Sequence, residues 1–122
     1  MDQQQTNQRN GELVISEEVV AKVAGVAAQD VAGVAGLVNI PSDIKSVIKR
    51  DRSVRAIRVS SMESAMTIDI AIAVKAGFKL DELCLNVQKA VKSAVQNMVG
   101  RPVAKVNVIV DDIVLPDQTQ NG

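Results

Sequence analysis

The chain has no histidine, no tryptophan and no tyrosine, and Phe78 and Cys84 are its only phenylalanine and cysteine in 122 residues. Without histidine there is no serine or cysteine nucleophile with an imidazole base, and no imidazole ligand for a metal. With one aromatic ring there is no platform on which nucleic-acid bases stack. A lone cysteine excludes an internal disulfide, and with it a secreted disulfide framework, so Cys84 is read as core. The formal charge is +0, so no overall excess of either sign points to nucleic acid or to an acidic substrate. No apolar run is long enough to cross a bilayer, and the opening MDQQQTNQRN lacks the apolar stretch of a signal peptide. These absences lead to the expectation of a cytoplasmic protein that is not an enzyme and has no cofactor and no metal site.

Hydrophobic residues make up 47% and charged residues 23%, a globular balance, and the length suits one domain. Residues 1–10 and 116–122 are polar and lack apolar residues to dock, so they are expected to be disordered tails around a single domain at 11–115. Within it, Gly11 to Val38 is a well-punctuated stretch. Glu12 to Ile15 reads as a short strand, Ser16 as a helix cap, and Glu17 and Glu18 as anions placed at the positive end of the helix dipole. Ile15 and Val20 are spaced as a hydrophobic staple, and Gly33 ends a helix over about Glu17 to Ala32. That helix carries an apolar stripe (Val20, Ala24, Ala27, Val31) and a second stripe of small residues, Ala21, Gly25, Ala28 and Ala32. The small stripe has two readings: a tight interior, or a surface that admits a partner backbone closely.

After Val38, Asn39-Ile40-Pro41 breaks the pattern, and Ser42-Asp43 caps a short helix with Ile44, Val47 and Ile48 on one face. Val54 to Met62 and Met66 to Lys75 read as a β-hairpin. In the second of these, Met66, Ile68, Ile70, Ile72 and Val74 alternate with Thr67, Asp69, Ala71, Ala73 and Lys75, giving one core face and one polar or small face. A second helix follows Gly77, with Asp81 as its cap, Leu80 and Leu85 as a staple, and a stop at Gly100-Arg101-Pro102. The last strand, Val103 to Asp111, places Ala104, Val106, Val108 and Val110 on one face, with Lys105, Asn107 and Ile109 on the other. The order β-α-(short helix)-β-β-α-β implies an α/β (α+β) two-layer sandwich: a small mixed sheet with two main helices on one face. Both a ferredoxin-like split arrangement and a three-stranded mixed sheet fit that order.

These pieces, taken together, resemble the alkaline-shock proteins, also called the envelope stress response or general stress family of Gram-positive bacteria. The likeness runs from about Gly11 to Leu115. It rests on Gly11-Glu12-Leu13-Val14-Ile15-Ser16 leading into Val19-Val20-Ala21-Lys22-Val23-Ala24, then Gly33-Val34-Ala35-Gly36-Leu37. Further along it rests on Ile68-Asp69 and Gly77, on Val87-Gln88, Val91, Val95, Met98 and Gly100, and on Val106-Asn107-Val108 with Val110. The resemblance implies a small cytosolic, non-enzymatic protein that acts through protein contacts at the inner side of the cell envelope. Some members resemble regulators of other cytosolic proteins. This chain departs from the family pattern at Ala76, where many relatives carry an aromatic, and in the basic, proline-containing insert after the first helix.

Two sets of residues are candidate sites. The small stripe Ala21, Gly25, Ala28 and Ala32, together with Asp69 and Asn107 on the open sheet face, is a candidate partner surface. Asn107 fits a mid-strand position poorly by propensity, which points to a specific hydrogen bond or contact. Lys45, Lys49, Arg50, Arg52, Arg55 and Arg58 form the chain's one charge asymmetry, with only Asp51 against them. They are a candidate patch for anionic lipid or an acidic partner, each basic residue near such a membrane contributing roughly 1 kcal/mol, or else a solvated face that discourages edge aggregation. Expected partners are proteins, among them a membrane-anchored one, and further copies of the chain, with peripheral contact to an anionic membrane. Nucleic acid is the alternative on the 45–58 segment. It is the weaker reading, for want of a GXXG loop that clamps a nucleotide backbone, of strand aromatics and of overall basic charge.

Overall fold

The computed structural model describes residue 11 and residues 13–38, 56–62 and 65–116. Helix α1 (Glu17–Gln29) is followed by strand β1 (Val34–Leu37), strands β2 (Ile57–Met62) and β3 (Ala65–Lys75), helix α2 (Leu80–Val99) and strand β4 (Val103–Val114). The expected fold class stands: an α+β sandwich with a mixed sheet and both helices over one face. The first strand sits elsewhere than expected. Leu13 to Ile15 forms no strand, and the first strand follows α1 instead of preceding it, built from Val34 to Leu37 just past the glycine stop.

β3 is the centre of the sheet. β1 pairs antiparallel with its C-terminal end (Val34 opposite Val74, Leu37 opposite Ile72), and β2 pairs antiparallel with the remainder (Ile57 opposite Ile70, Met62 opposite Ala65). β1 and β2 therefore lie end to end along one side of β3. β4 runs parallel to β3 on the other side, joined through α2 in a parallel crossover.

The alternation in β3 accounts for the two layers. Met66, Ile68, Ile70, Ile72 and Val74 are all buried and meet Val20, Ala24 and Ala28 of α1 and Val87, Val91 and Val95 of α2 in one core. Ser16 caps α1 as expected, its hydroxyl accepting from the Val19 N–H at 3.2 Å. The helix is one turn shorter than the spacing predicts, ending at Gln29 with Asp30 as its C-cap. Gly33 adopts φ 96°, and a Cβ there would stand 2.6 Å from Leu83 Cδ1 and 2.8 Å from the Phe78 ring, so both backbone and packing require glycine.

Two further details differ from the sequence reading. α2 starts at Leu80 with Lys79 as N-cap and no side-chain cap, while the Asp81 carboxylate accepts from the neighbouring Glu82 N–H at 2.9 Å. Leu80 and Leu85 are both exposed, so they do not pin the helix start as a staple. In β4 the register skips Ala104 between Met66–Val103 and Thr67–Lys105. The extra residue of this bulge turns Val103 into the core and leaves Ala104 exposed, so the expected parity holds from Lys105 to Val110, where a second bulge skips Asp111 between Ile72–Val110 and Ala73–Asp112.

A candidate interaction face on the open side of the sheet

The small-residue stripe of α1 belongs to the interior. Ala21 and Ala28 are buried, and Gly25 is buried where a Cβ would touch Ile57 Cδ1 and Leu37 Cδ1, each at 3.2 Å. Helix and sheet approach so closely at this stripe that no side chain larger than alanine fits between them. Ala32 lies beyond the helix end and is exposed. The expectation that this stripe meets a partner is thereby corrected: Ala21, Gly25 and Ala28 lie in the chain's own core, Gly25 against β1 and β2. The outward side of α1 carries Val19 and Val26 among Glu18, Lys22 and Gln29.

The other candidates come together on the face away from the helices. Arg58, Asp69 and Asn107 occupy directly opposed positions on β2, β3 and β4, a polar row across the sheet. Asn107 Nδ2 donates to Asp69 Oδ1 at 2.8 Å, and the Arg58 guanidinium lies 4.0 Å from Asp69 Oδ2. The amide bond is short and made to a charged acceptor, which makes it the stronger link. The Arg58 contact stands at the limit of an ion pair, with the arginine side chain 46% exposed, and adds little by itself. The hydrogen bond explains why asparagine occupies a mid-strand position.

The next row is Ser60, Thr67 and Lys105. In the opposite direction the face becomes small and flat, with Ala71 and Ala73 buried and Gly36 opposite Ala73. Lys75, opposite Val114, stands at the far end, away from Asp69. The break between β1 and β2 falls beside Ala71: the Val38 N–H donates to the Ala71 carbonyl at 3.0 Å, and β2 resumes opposite Ile70. Val38 and Ile57 are thus held near one point on the sheet, next to the polar row. Of the basic segment Arg58 is described; Lys45, Lys49, Arg50, Arg52 and Arg55, like the expected short helix at 42–48, lie outside the described residues, as do residues 1–10 and 117–122.

One pattern expected to be missing is present in the chain. Gly33-Val34-Ala35-Gly36 has the GXXG spacing of loops that clamp a nucleotide backbone. Here Gly33 is buried against Leu83 and Phe78, and Val34 to Leu37 is laddered to β3, so the segment is not an open phosphate cradle. Cys84 is half-buried; burial, with a smaller contribution from the Asp81 charge, raises its thiol pKa above the ordinary value and keeps it protonated at neutral pH. Among the described residues no cluster of three or more acidic or cysteine side chains has the arrangement to hold a metal, and no helix is long and apolar enough to cross a membrane.

Comparison with known proteins agrees with the resemblance noted in the sequence. YloU of Bacillus subtilis (strain 168) is 33% identical over 106 residues, spanning 84% of this chain and 88% of that protein. Spy1535 of Streptococcus pyogenes serotype M6 is 33% identical over 109 residues, spanning 89% and 84%. Among solved structures, a MamM CTD chain overlays with a TM-score of 0.49 at 20% identity, covering 80% of this chain and 99% of that one. Residues 5–115 match the family described as ASP23, with a cell envelope-related function. With that match over most of its length, the chain belongs to the alkaline-shock protein family.

Proposed function

We propose that this protein is a non-enzymatic interaction protein of the cell envelope, working in the cytoplasm by docking a protein partner, membrane-anchored or cytosolic, on the outer face of its sheet. The observation that carries this reading is the row Arg58, Asp69 and Asn107, ordered by a 2.8 Å hydrogen bond on a face that the helices leave uncovered. A row whose only task is solubility needs no such fixed geometry, whereas recognition benefits from polar groups held in place before binding. The row supplies orientation, and the half-exposed Arg58 beside the exposed Asn107 gives a partner direct access to it. The family's cell envelope-related description supports the setting.

The test is capture from separated cytosolic and membrane fractions, with wild type and Asn107→Lys side by side. A discrete protein held by the wild type and lost with the variant supports the reading. Recovery of only ribosomal RNA and ribosomal proteins, or identical recovery with both baits, counts against it. Sedimentation with anionic vesicles at low salt separates a direct membrane role for the basic 45–58 segment, and a salt-dependent shift of generic RNA would revive the nucleic-acid alternative.

A further inference from the structure

Among the described residues β4 is the long outer strand of the sheet, with one side unpaired. Among the described residues β3 is the one strand paired with it, and between its two bulges Lys105 to Val110 runs in unbroken register without proline or glycine. In a parallel pair, alternate residues turn their peptide groups toward the neighbour and away from it. The Val106 carbonyl is met by the Gln88 amide at 3.0 Å, which marks Val106, and by alternation Val108 and Val110, as the residues that face outward. Natural edges of this length are commonly blunted by a charge or proline in the middle. Here Lys105 and the Asp111-Asp112 pair sit toward the two ends, and the middle is Val106 to Val110.

From this we infer that a second copy of the chain pairs with β4, the two edges running antiparallel about a two-fold axis at Val108. That register sets Val106 against Val110, joins outward-facing residues to outward-facing residues, and brings Lys105 of each copy across from the second bulge of the other, where Asp111 and Asp112 lie, so the charges complement each other twice. A shift to an axis at Asn107 sets Lys105 against Ile109 and loses both pairs.

A second observation falls on the same axis. Gln88 bonds Val106 and Gln96 Oε1 accepts from the Val103 N–H at 2.9 Å, so α2 lies antiparallel over β4 with its numbering tied to the strand at two points. Leu85 is on the same side of α2 as Gln88 and about 4.5 Å further along the helix, a little over one strand residue. It therefore stands level with Asn107 and Val108, and it is 49% exposed. Across the axis the two copies of Leu85 face each other above the joined strands. The Gln88 amide takes one lone pair of the Val106 carbonyl and leaves the other for the incoming N–H. The pairing uses the edge and leaves the outer face free, so it goes beyond the partner docking proposed above: two polar rows would be displayed on one continuous sheet.

Sedimentation equilibrium of the full chain, over micromolar to high micromolar concentration, tests the pairing, with thermal melts to confirm that each variant folds. The expected result is a reversible dimer whose dissociation constant rises about tenfold or more in Leu85→Glu and about tenfold in Asp111→Lys, both exposed positions, with recovery in the Lys105→Asp/Asp111→Lys double variant. A wild-type protein that stays monomeric throughout overturns the inference. So does a dimer that neither substitution weakens, or an Asp111→Lys loss that the double variant fails to recover. Because the readout is self-association in purified protein, its failure is distinct from failure to capture a partner through Asn107.

Discussion

The two faces of β3 are made from one alternating segment and do different work. The inner face is Met66, Ile68, Ile70, Ile72 and Val74, fully apolar, buried and interchangeable with the core of many small domains. The outer face is Thr67, Asp69, Ala71, Ala73 and Lys75, where one carboxylate is bound to an asparagine on the neighbouring strand. Burial on the inner face stabilises the fold and says nothing about function. The polar part of the outer face, Thr67 and Asp69, buries less, which is why the ordered hydrogen bond at Asp69 is informative.

The sharpest way to separate the faces is to remove mass from the inner one. Ile70 is wholly buried at the middle of β3, between α1 and α2. Ile70→Ala should cost about 2–5 kcal/mol, through lost transfer energy and the cavity left behind. A urea or thermal melt reads this directly. A loss under about 1 kcal/mol would mean the helices collapse onto the sheet more freely than close packing allows.

The next effect probes the contact between helix and sheet. Ala28 is wholly buried in α1, and Ala28→Leu adds branched volume with no space to receive it, at a cost of about 1–3 kcal/mol. Unchanged melting with lost partner capture would return the small stripe to the surface. Gly25→Ala is the graded version. Alanine gains about 1 kcal/mol of helix propensity, but its Cβ would press on Ile57 and Leu37 at 3.2 Å, so the two effects nearly cancel and the net change stays within about 1 kcal/mol. A loss larger than that of Ala28→Leu would show that Ile57 and Leu37 have no room to shift.

These residues also show what the sequence could and could not disclose. The period-two pattern from Met66 to Val74 and the Ser16 cap are local signals, and the strand and helix they predict are present. Val34 to Leu37 was opaque because four residues after a glycine stop look the same whether they fold back on a helix or enter a sheet; pairing with Val74 and Ile72 decides it. The bulge at Ala104 inverts a parity that no local rule detects, since its cause is the register with Met66 and Thr67. The small stripe is ambiguous in principle, because alanine and glycine suit any close approach. Asn107 was the exception: a residue that fits its strand poorly disclosed a tertiary contact, though only the structure identifies its acceptor as Asp69 Oδ1.

The smallest expected effect on stability is at that contact, and it is the one that bears on function. Asn107 is exposed and its amide bond lies on the solvent side of the sheet, so Asn107→Ala should change stability by less than about 1 kcal/mol, since water replaces the lost donor at Asp69. If the row Arg58, Asp69 and Asn107 orients a partner, the same substitution should lower partner affinity by more than the stability change accounts for, with Asp69→Ala acting alike and the double variant losing no more than either single one. Isothermal titration with the captured partner, set beside the melts, measures both quantities. Additive losses in the double variant would mean that the two side chains touch the partner separately, and that the hydrogen bond between them positions neither.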